Sequence, residues 1–301
     1  MSEDGVIRAA AVLGDAARRD APLGALTTYR VGGRAALLVE VNSMADLDLV
    51  SRAVQASGVP VLALGKGSNL LVADGGFHGL AVLLGDGLAG IDIEGDVVTA
   101  GGGAALPIVA RRTAAAGLTG FEWAVGVPGS VGGGVRMNAG GHGADIAGSL
   151  IDATVIDLAT GESAVRPNAQ LAFGYRRSAI EPTHIVAAAR FQLARGDAAI
   201  AEARISEIVQ WRRENQPGGQ NAGSVFTNPD GDSAGRIIDA AGLRGFRVGT
   251  AQVSDKHANF IQADVGGAAD DVLALIREVQ RRVHEAVGVE LVPEVRLVGF
   301  A

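Results

Sequence analysis

The chain has 301 residues, 48% hydrophobic and 20% charged, enough for one large or two ordinary domains with real cores. A formal net charge of -7 speaks against a nucleic-acid or anionic-membrane surface, because phosphate binding there depends on clustered Lys and Arg. The absence of cysteine excludes a redox disulfide, a thiolate nucleophile, a cysteine-ligated zinc site and a cysteinyl link to a cofactor. Redox chemistry, if there is any, must therefore be carried by a bound group. The opening MSEDGVIRAAAVLGDAARRD has acidic residues where a secretory signal is basic, and no apolar run reaches the length of a membrane span. A cytoplasmic protein without membrane insertion is expected.

In chain order, a short N-terminal helix precedes TTYRVGGRAALLVEV, which turns at Gly32 and Gly33 and enters an apolar strand from Ala35. Ser43, with Asp46 three residues on, caps a helix whose apolar face carries Leu47, Val50 and Val54 and which Gly58 ends. Pro60 to Gly65 reads as a buried strand, so residues 35 to 65 make a β-α-β unit. It runs into GKGSNLLV, Gly65 to Val72, a small-residue loop at a strand's C-terminal end, where ligands commonly sit. This is no dinucleotide fingerprint, because Asn69 to Val72 continue as an extended apolar segment instead of opening a helix. Gly79 to Leu84 and IDIEGDVVTAGGG, with a turn near Gly95 and Asp96, read as antiparallel strands, so the sheet is not doubly wound.

A helix from about Ala105 to Ala116, ended by Gly117, leads into GVPGSVGGGVRMNAGGHG, Gly126 to Gly143. Eight glycines in this stretch give up side-chain packing, and so leave backbone N–H groups open to a phosphate or a flat ring. Leu150 to Val165 reads as a hairpin around Thr160 and Gly161, and His184 to Leu193 as a further strand. The texture changes near Arg195. A helix carrying Ile205, Ile208, Val209 and Arg212 is broken at Pro217, and a shorter one lies near Ser233 to Ala241. The longest helix, about Ala268 to Val287, has Val272, Ile276, Val279, Val283 and Val287 on one face. Strands near Phe246 to Val253, Asn259 to Gln262 and Val289 to Val298 complete an α+β unit.

Taken together, TTYRVGG, GKGSNLLV, GVPGSVGGGVRMNAG, FGYRRS, NAGSVFTNP, SDKHANFI and PEVRLVG resemble the flavoprotein UDP-N-acetylenolpyruvoylglucosamine reductases of bacterial peptidoglycan precursor synthesis. The resemblance runs from Thr27 to Gly299 and implies an α+β fold. An FAD-binding domain of the vanillyl-alcohol-oxidase (PCMH) type over 1–195, in two subdomains of roughly 1–80 and 81–195, is followed by a smaller α+β substrate-binding domain over 196–301. It also implies non-covalent FAD, NADPH as reductant and UDP-N-acetylglucosamine enolpyruvate as substrate. The cofactor positions carried over are Gly65, Lys66, Gly67, Ser68, Asn69 and Leu70; Gly126, Pro128, Gly129, Ser130, Gly132 and Gly133; and Asn138 and Ala139. Backbone donors in such loops bind a pyrophosphate without a large basic patch, which suits an acidic protein.

The implied reaction adds hydride to a vinyl carbon beside a carboxylate and a proton to the neighbouring carbon. That chemistry needs cationic or hydrogen-bonding groups at the carboxylate and a proton donor at the α-carbon. Arg176 in FGYRRS matches the family's active-site arginine, whose fork holds a carboxylate; read alone it is a surface arginine in a strand-end turn. Ser224 in NAGSVF matches the proton donor, although an isolated hydroxyl is a poor acid and needs hydrogen-bonding neighbours or ordered water. Glu294 matches the glutamate that assists the enol intermediate. Strand alternation puts Val289, Leu291, Val295 and Leu297 on one face and Glu290, Glu294 and Arg296 on the other, with a Glu294–Arg296 pair as the plainer reading. Tyr175, Asn228, Arg212 and Lys256 are carried as substrate contacts, the last two for nucleotide phosphates. His142 departs from the tyrosine that many members have near that point. With no long insertion between Arg176 and Ser224, the chain resembles the short branch that lacks a substrate-covering tyrosine loop. The five histidines lack ligand-like spacing, so no metal site is expected. Two other readings stay open at this level: another FAD-dependent oxidase or dehydrogenase acting on an alcohol or sugar, and a non-catalytic flavin or nucleotide-sugar binding protein.

Overall fold

The structure is a computed structural model that describes residues 3–300. In chain order the elements begin with α1 (Glu3–Leu13), β1 (Ala17–Ala21), β2 (Ala35–Val41), α2 (Met44–Ser57), β3 (Val61–Leu64), β4 (Leu70–Val72), β5 (Phe77–Leu84), β6 (Ile91–Glu94), β7 (Val97–Gly101) and α3 (Leu106–Ala115). They continue with β8 (Leu118–Thr119), α4 (Val131–Met137), β9 (Gly140–Gly141), β10 (Ala144–Asp145), β11 (Leu150–Asp157), β12 (Ser163–Pro167), β13 (His184–Gln192), β14 (Ala194–Arg195) and α5 (Ala198–Asn215). The last are α6 (Ala234–Ala240), β15 (Arg247–Val248), β16 (Ala251–Val253), β17 (Ile261–Ala263), α7 (Ala269–Val287) and β18 (Arg296–Val298). Contacts group the chain into two interleaved units. The first comprises residues up to 20, 36–66 and 78–212, and the second comprises 21–35, 67–77 and the chain from 213 onward.

The first unit holds two sheets. In the four-stranded one, ordered β1-β2-β5-β3, α1 and α2 bury Ala9, Leu13, Leu47, Val50 and Val54 against Leu37, Val39, Leu80 and Val82. Capping follows the sequence signals: Ser43 Oγ accepts the Asp46 N–H at 3.2 Å, and Gly58 closes α2 at φ 63°. Strand β5 corrects the sequence reading, because Phe77–Leu84 lies parallel to β3 within this sheet instead of joining β6 and β7. Its residues Gly79 to Val82 are all buried, and a strand covered on both faces shows no alternation from which partner or direction could be read. Because β5 sits between β2 and β3, the β-α-β crossover skips one strand. β1, with the sequence ARRDA, carried no strand signal.

The second sheet, β12-β11-β13-β7-β6, is antiparallel throughout and packs against α3, α4 and α5 over Val98, Leu106, Val109, Val135, Phe191 and Ile205. Helix α4 comes very close to it. The Gly132 N–H donates to the Gly102 carbonyl at 2.8 Å, and a Cβ on Gly102 would overlap the Val186 carbonyl.

In the second unit, α7 buries Val272, Ile276, Val279 and Val283 together with Val253 and Ile261. Val287, assigned to that face from the sequence, is 53% exposed, because the core ends one turn earlier. Asp74 accepts the N–H groups of Ala269 and Asp270 at 3.0 Å each, completing the start of α7. Strand β18 pairs in parallel with β4, Arg296 opposite Leu70 and Val298 opposite Val72. The expected strand over Val289 to Val298 thus shrinks to its last three residues. Pro293 makes only an isolated bridge with Phe226, and Leu297 is 43% exposed, so alternation does not hold across the Pro293 break.

Candidate active site

The two glycine loops meet inside the first unit. A Cβ on Gly65 would overlap Ser130 Oγ and stand 3.0 Å from Ser130 Cβ, so only glycine permits the approach. Ser130 is buried, and its Oγ accepts the Gly133 N–H at 3.3 Å as the N-cap of α4. Leu106 N–H donates to the Gly129 carbonyl at 3.0 Å, tying the same loop to α3. Gly67, in the second unit, has φ 61°; a Cβ there would overlap the Leu26 carbonyl and lie 2.8 Å from Thr27 Cα. Its own carbonyl accepts the Thr28 N–H at 3.1 Å. Asn69 donates through Nδ2 to the Glu294 carbonyl at 3.2 Å and accepts the Arg296 N–H at 3.0 Å, so TTYRVGG, GSN and PEVRLVG converge in one place. No backbone hydrogen bond among the described residues uses the N–H groups of Lys66, Gly67 or Ser68.

A cleft of about 680 Å³ opens in the first unit, lined by Asn138, Gly140, Gly141, Gly143, Tyr175 and Arg176 among others. That volume lies within the roughly 300–1,000 Å³ of small-molecule and cofactor sites. Arg176 sits with Tyr175 at the tip of a two-residue turn closed by reciprocal bonds between Gly174 and Arg177, at 3.1 and 3.2 Å. Its φ is 56°, its Nη2 approaches the Gly140 carbonyl at 3.5 Å, and its Cζ lies 5.1 Å from the centre of the Tyr175 ring. Tyr175 itself is 59% exposed. Asn138 closes α4 at φ 41°, and its amide joins the MNAG segment to that turn through bonds to Asp145 at 3.1 Å and the Gly174 carbonyl at 3.2 Å. Gly126 lies beside Ile208, Arg212 and His142. The His142 ring meets Trp211 edge-on at 5.3 Å, and burial first, then Arg204 and Arg212, lower its pKa and favour the neutral imidazole. Burial likewise lowers the pKa of Arg212.

Ser224, Asn228, Lys256 and Glu294 belong to the second unit. The Glu294 N–H donates to the Val225 carbonyl at 2.7 Å, and Thr227 N–H to the Val292 carbonyl at 2.9 Å, so the Ser224 and Glu294 segments lie side by side. Ser224 is half-buried and bridged to Phe260. Asn259 is a positioning residue that sequence reasoning missed. It is buried, its Oδ1 accepts the Phe226 N–H at 2.9 Å, and its Nδ2 donates to the Phe226 carbonyl at 2.8 Å, fixing the extended segment that carries Ser224. A lone amide in the apolar stretch ANFI was the available signal. Asn228 Oδ1 accepts the Ala234 N–H at 3.1 Å at the start of α6. Lys256 is exposed, with its Nζ donating to the Arg213 carbonyl.

These features suit FAD. Gly141 and Gly143 border the cleft with no heavy atom within 4 Å of where a Cβ would stand, so bare backbone faces open space. Main-chain donors of this kind supply hydrogen bonds to an anion without a basic cluster. Residues 35–164 match the family model of the FAD binding domain, and residues 215–298 match that of the UDP-N-acetylenolpyruvoylglucosamine reductase C-terminal domain. The fold and site therefore define an FAD-containing oxidoreductase, with a PCMH-type FAD-binding part and an α+β C-terminal part. The chain is 42% identical to the UDP-N-acetylenolpyruvoylglucosamine reductase of Rubrobacter xylanophilus over 94% of its own length and 96% of the relative's. It is 43% identical to that of Synechococcus sp. strain RCC307, over 94% of each. The crystal structure of the Thermus caldophilus reductase superposes with a TM-score of 0.81 at 36% identity, over 92% of this chain and 97% of that one. This protein belongs to the UDP-N-acetylenolpyruvoylglucosamine reductase family. Among the described residues, no helix is long and apolar enough to cross a membrane.

Proposed function

We propose that this protein reduces UDP-N-acetylglucosamine enolpyruvate to UDP-N-acetylmuramate with NADPH, in the cytoplasm, as a step of peptidoglycan precursor synthesis. The observation that carries the reading is family membership over nearly the whole chain, together with an arginine at the wall of a glycine-lined cleft. Bound FAD supplies hydride transfer from NADPH to the vinyl carbon. The FAD-binding part runs to about residue 195 and the substrate-binding part from 196 onward. The loops Gly65 to Leu70 and Gly126 to Gly133 hold the FAD pyrophosphate through main-chain N–H groups. Within the second loop, Gly132 spends its N–H on Gly102, so its share is the close packing of α4.

Arg176 holds the enolpyruvyl carboxylate through its guanidinium and stabilises the negative charge that grows there as hydride arrives at the neighbouring double bond. Ser224 Oγ delivers the proton to the carbon that bears the carboxylate. Water must resupply its proton. Glu294 stabilises the enol form of the intermediate. Tyr175, Asn228, Arg212 and Lys256 contact the substrate, the two cations at its nucleotide phosphates.

The test is anaerobic. The purified flavoprotein is reduced with NADPH, and the flavin absorbance is followed on adding UDP-N-acetylglucosamine enolpyruvate. Rapid reoxidation with formation of the lactyl ether is expected. Reduction by NADPH without reoxidation by this substrate would point to a different acceptor and refute the reading.

A further inference from the structure

Arg176 occupies the second central position of a two-residue turn at positive φ, where glycine or asparagine is the usual occupant. A side chain held in that region persists only where its surroundings over-determine it. Among those surroundings are Asn138 and its partner Asp145. Asn138 is buried with both amide protons and its carbonyl oxygen engaged: Nδ2 donates to Asp145 Oδ2 and to the Gly174 carbonyl, and Oδ1 accepts the Ala147 N–H at 3.0 Å. The second oxygen of Asp145 accepts the Gly148 N–H at 3.1 Å. Asp145 also stands opposite Gly140 in the β9–β10 pair, and the Gly140 carbonyl is the group that Arg176 Nη2 approaches. One residue thus bears on both ends of the arginine: its carboxylate, by way of Asn138, on the turn that carries the arginine's backbone, and its main chain on the strand that faces the guanidinium.

We infer that Asp145, acting with Asn138, is a positioning residue for Arg176, fixing the fork in the orientation in which it receives the substrate carboxylate. This rests on the assignment of Arg176 to that carboxylate. Asp145 touches neither reactant in this account; its effect passes through the arginine. Fixed geometry of this kind matters because a displacement of about 1 Å in a reacting arrangement costs on the order of a hundredfold in rate.

The test uses the full-length, FAD-loaded protein and separates the two half-reactions by stopped-flow absorbance: flavin reduction by NADPH, and reoxidation by the enolpyruvyl substrate. Asp145→Ala is expected to slow reoxidation about a hundredfold while leaving reduction by NADPH little changed. It is also expected to weaken substrate binding to the oxidised enzyme, read from the perturbation of the flavin spectrum. In an Arg176→Ala background the same substitution is expected to add nothing, because its route is already removed. Asp145→Glu, which keeps the carboxylate, is expected to recover part of the rate. Additive losses in the double variant, or parental reoxidation by Asp145→Ala while Arg176→Ala is slow, would overturn the positioning role and leave the arginine's role standing. Parental reoxidation by Arg176→Ala would instead overturn the arginine assignment. Should Asp145→Ala lose its flavin, the isosteric Asp145→Asn carries the same test. Loss of flavin from both would show the pair to be a folding element and overturn the proposal.

Discussion

Replacing Gly65 with alanine tests the point at which the two glycine loops meet. No positive φ is required at Gly65, so the alanine backbone is unstrained and the consequence is steric alone. Its Cβ would overlap Ser130 Oγ and stand 3.0 Å from Ser130 Cβ, against an optimal carbon separation of about 3.5–4.0 Å. The hydroxyl must rotate away, and because the contact with Ser130 Cβ remains the loops must also part, an overpacking cost of about 1–3 kcal/mol. Rotation abandons the Gly133 N–H, at about 1 kcal/mol for a lost cap. The two together give about 2–4 kcal/mol for Gly65→Ala. Ser130→Gly alone costs only a few tenths of a kcal/mol, and in its presence Gly65→Ala should cost less than about 1 kcal/mol, because the overlapping atoms are gone. Denaturant unfolding of the four members of the cycle, with retained flavin measured by absorbance, gives both the coupling and its effect on the cofactor. Equal losses from Gly65→Ala in the parent and in the Ser130→Gly background would refute the reasoning.

Gly67→Ala forces a side chain to positive φ and against the backbone of Leu26 and Thr27, and should destabilise by about 2–4 kcal/mol, checked by chemical denaturation. Gly141→Ala is the contrasting case: its Cβ meets nothing, so stability should stay within about 0.5 kcal/mol of the parent while the methyl intrudes on the cleft and lowers the flavin content of the purified protein. Ser224→Ala should leave flavin reduction by NADPH intact and slow product formation by about 10²–10⁴-fold, measured by product appearance in single turnover. For His142 the folded pKa lies below the unfolded value, so the unfolded chain binds the extra proton first. Its contribution to stability is therefore present above the unfolded pKa of about 6.5 and is lost as pH falls toward the folded value. His142→Gln should flatten the fall in melting temperature between about pH 7 and pH 5, with a residual slope from His184 and His257, which burial also holds low.

Much of the local architecture was legible because its signals are short-range. Ser43 and Gly58 bound α2 and Gly117 follows α3, each marking an end that the backbone obeys. The motif segments named Arg176, Ser224 and Glu294; that the Ser224 and Glu294 segments adjoin is seen only in the structure. Asp145 and Asn259 escaped notice because a polar residue in a short segment looks the same whether it faces water or clamps another strand. Their partners, Gly174 by way of Asn138 and Phe226, lie about thirty residues away in the chain.

The sequence by itself determined the class of fold and the family to which the chain belongs, because caps, turns, periodicity and motif order are properties of neighbouring residues. Only the tertiary structure decided the rest. It put β5 between β2 and β3, it gave residues 21–35 and 67–77 to the second unit, and it sorted the glycines by purpose. Gly102 and Gly132 bring a helix onto a sheet, Gly65 and Gly67 let segments of backbone touch, and Gly141 leaves room for a ligand. A glycine reports only that a side chain is missing; what fills or spares the space above it is set by distant segments, whose pairing is written in no local pattern.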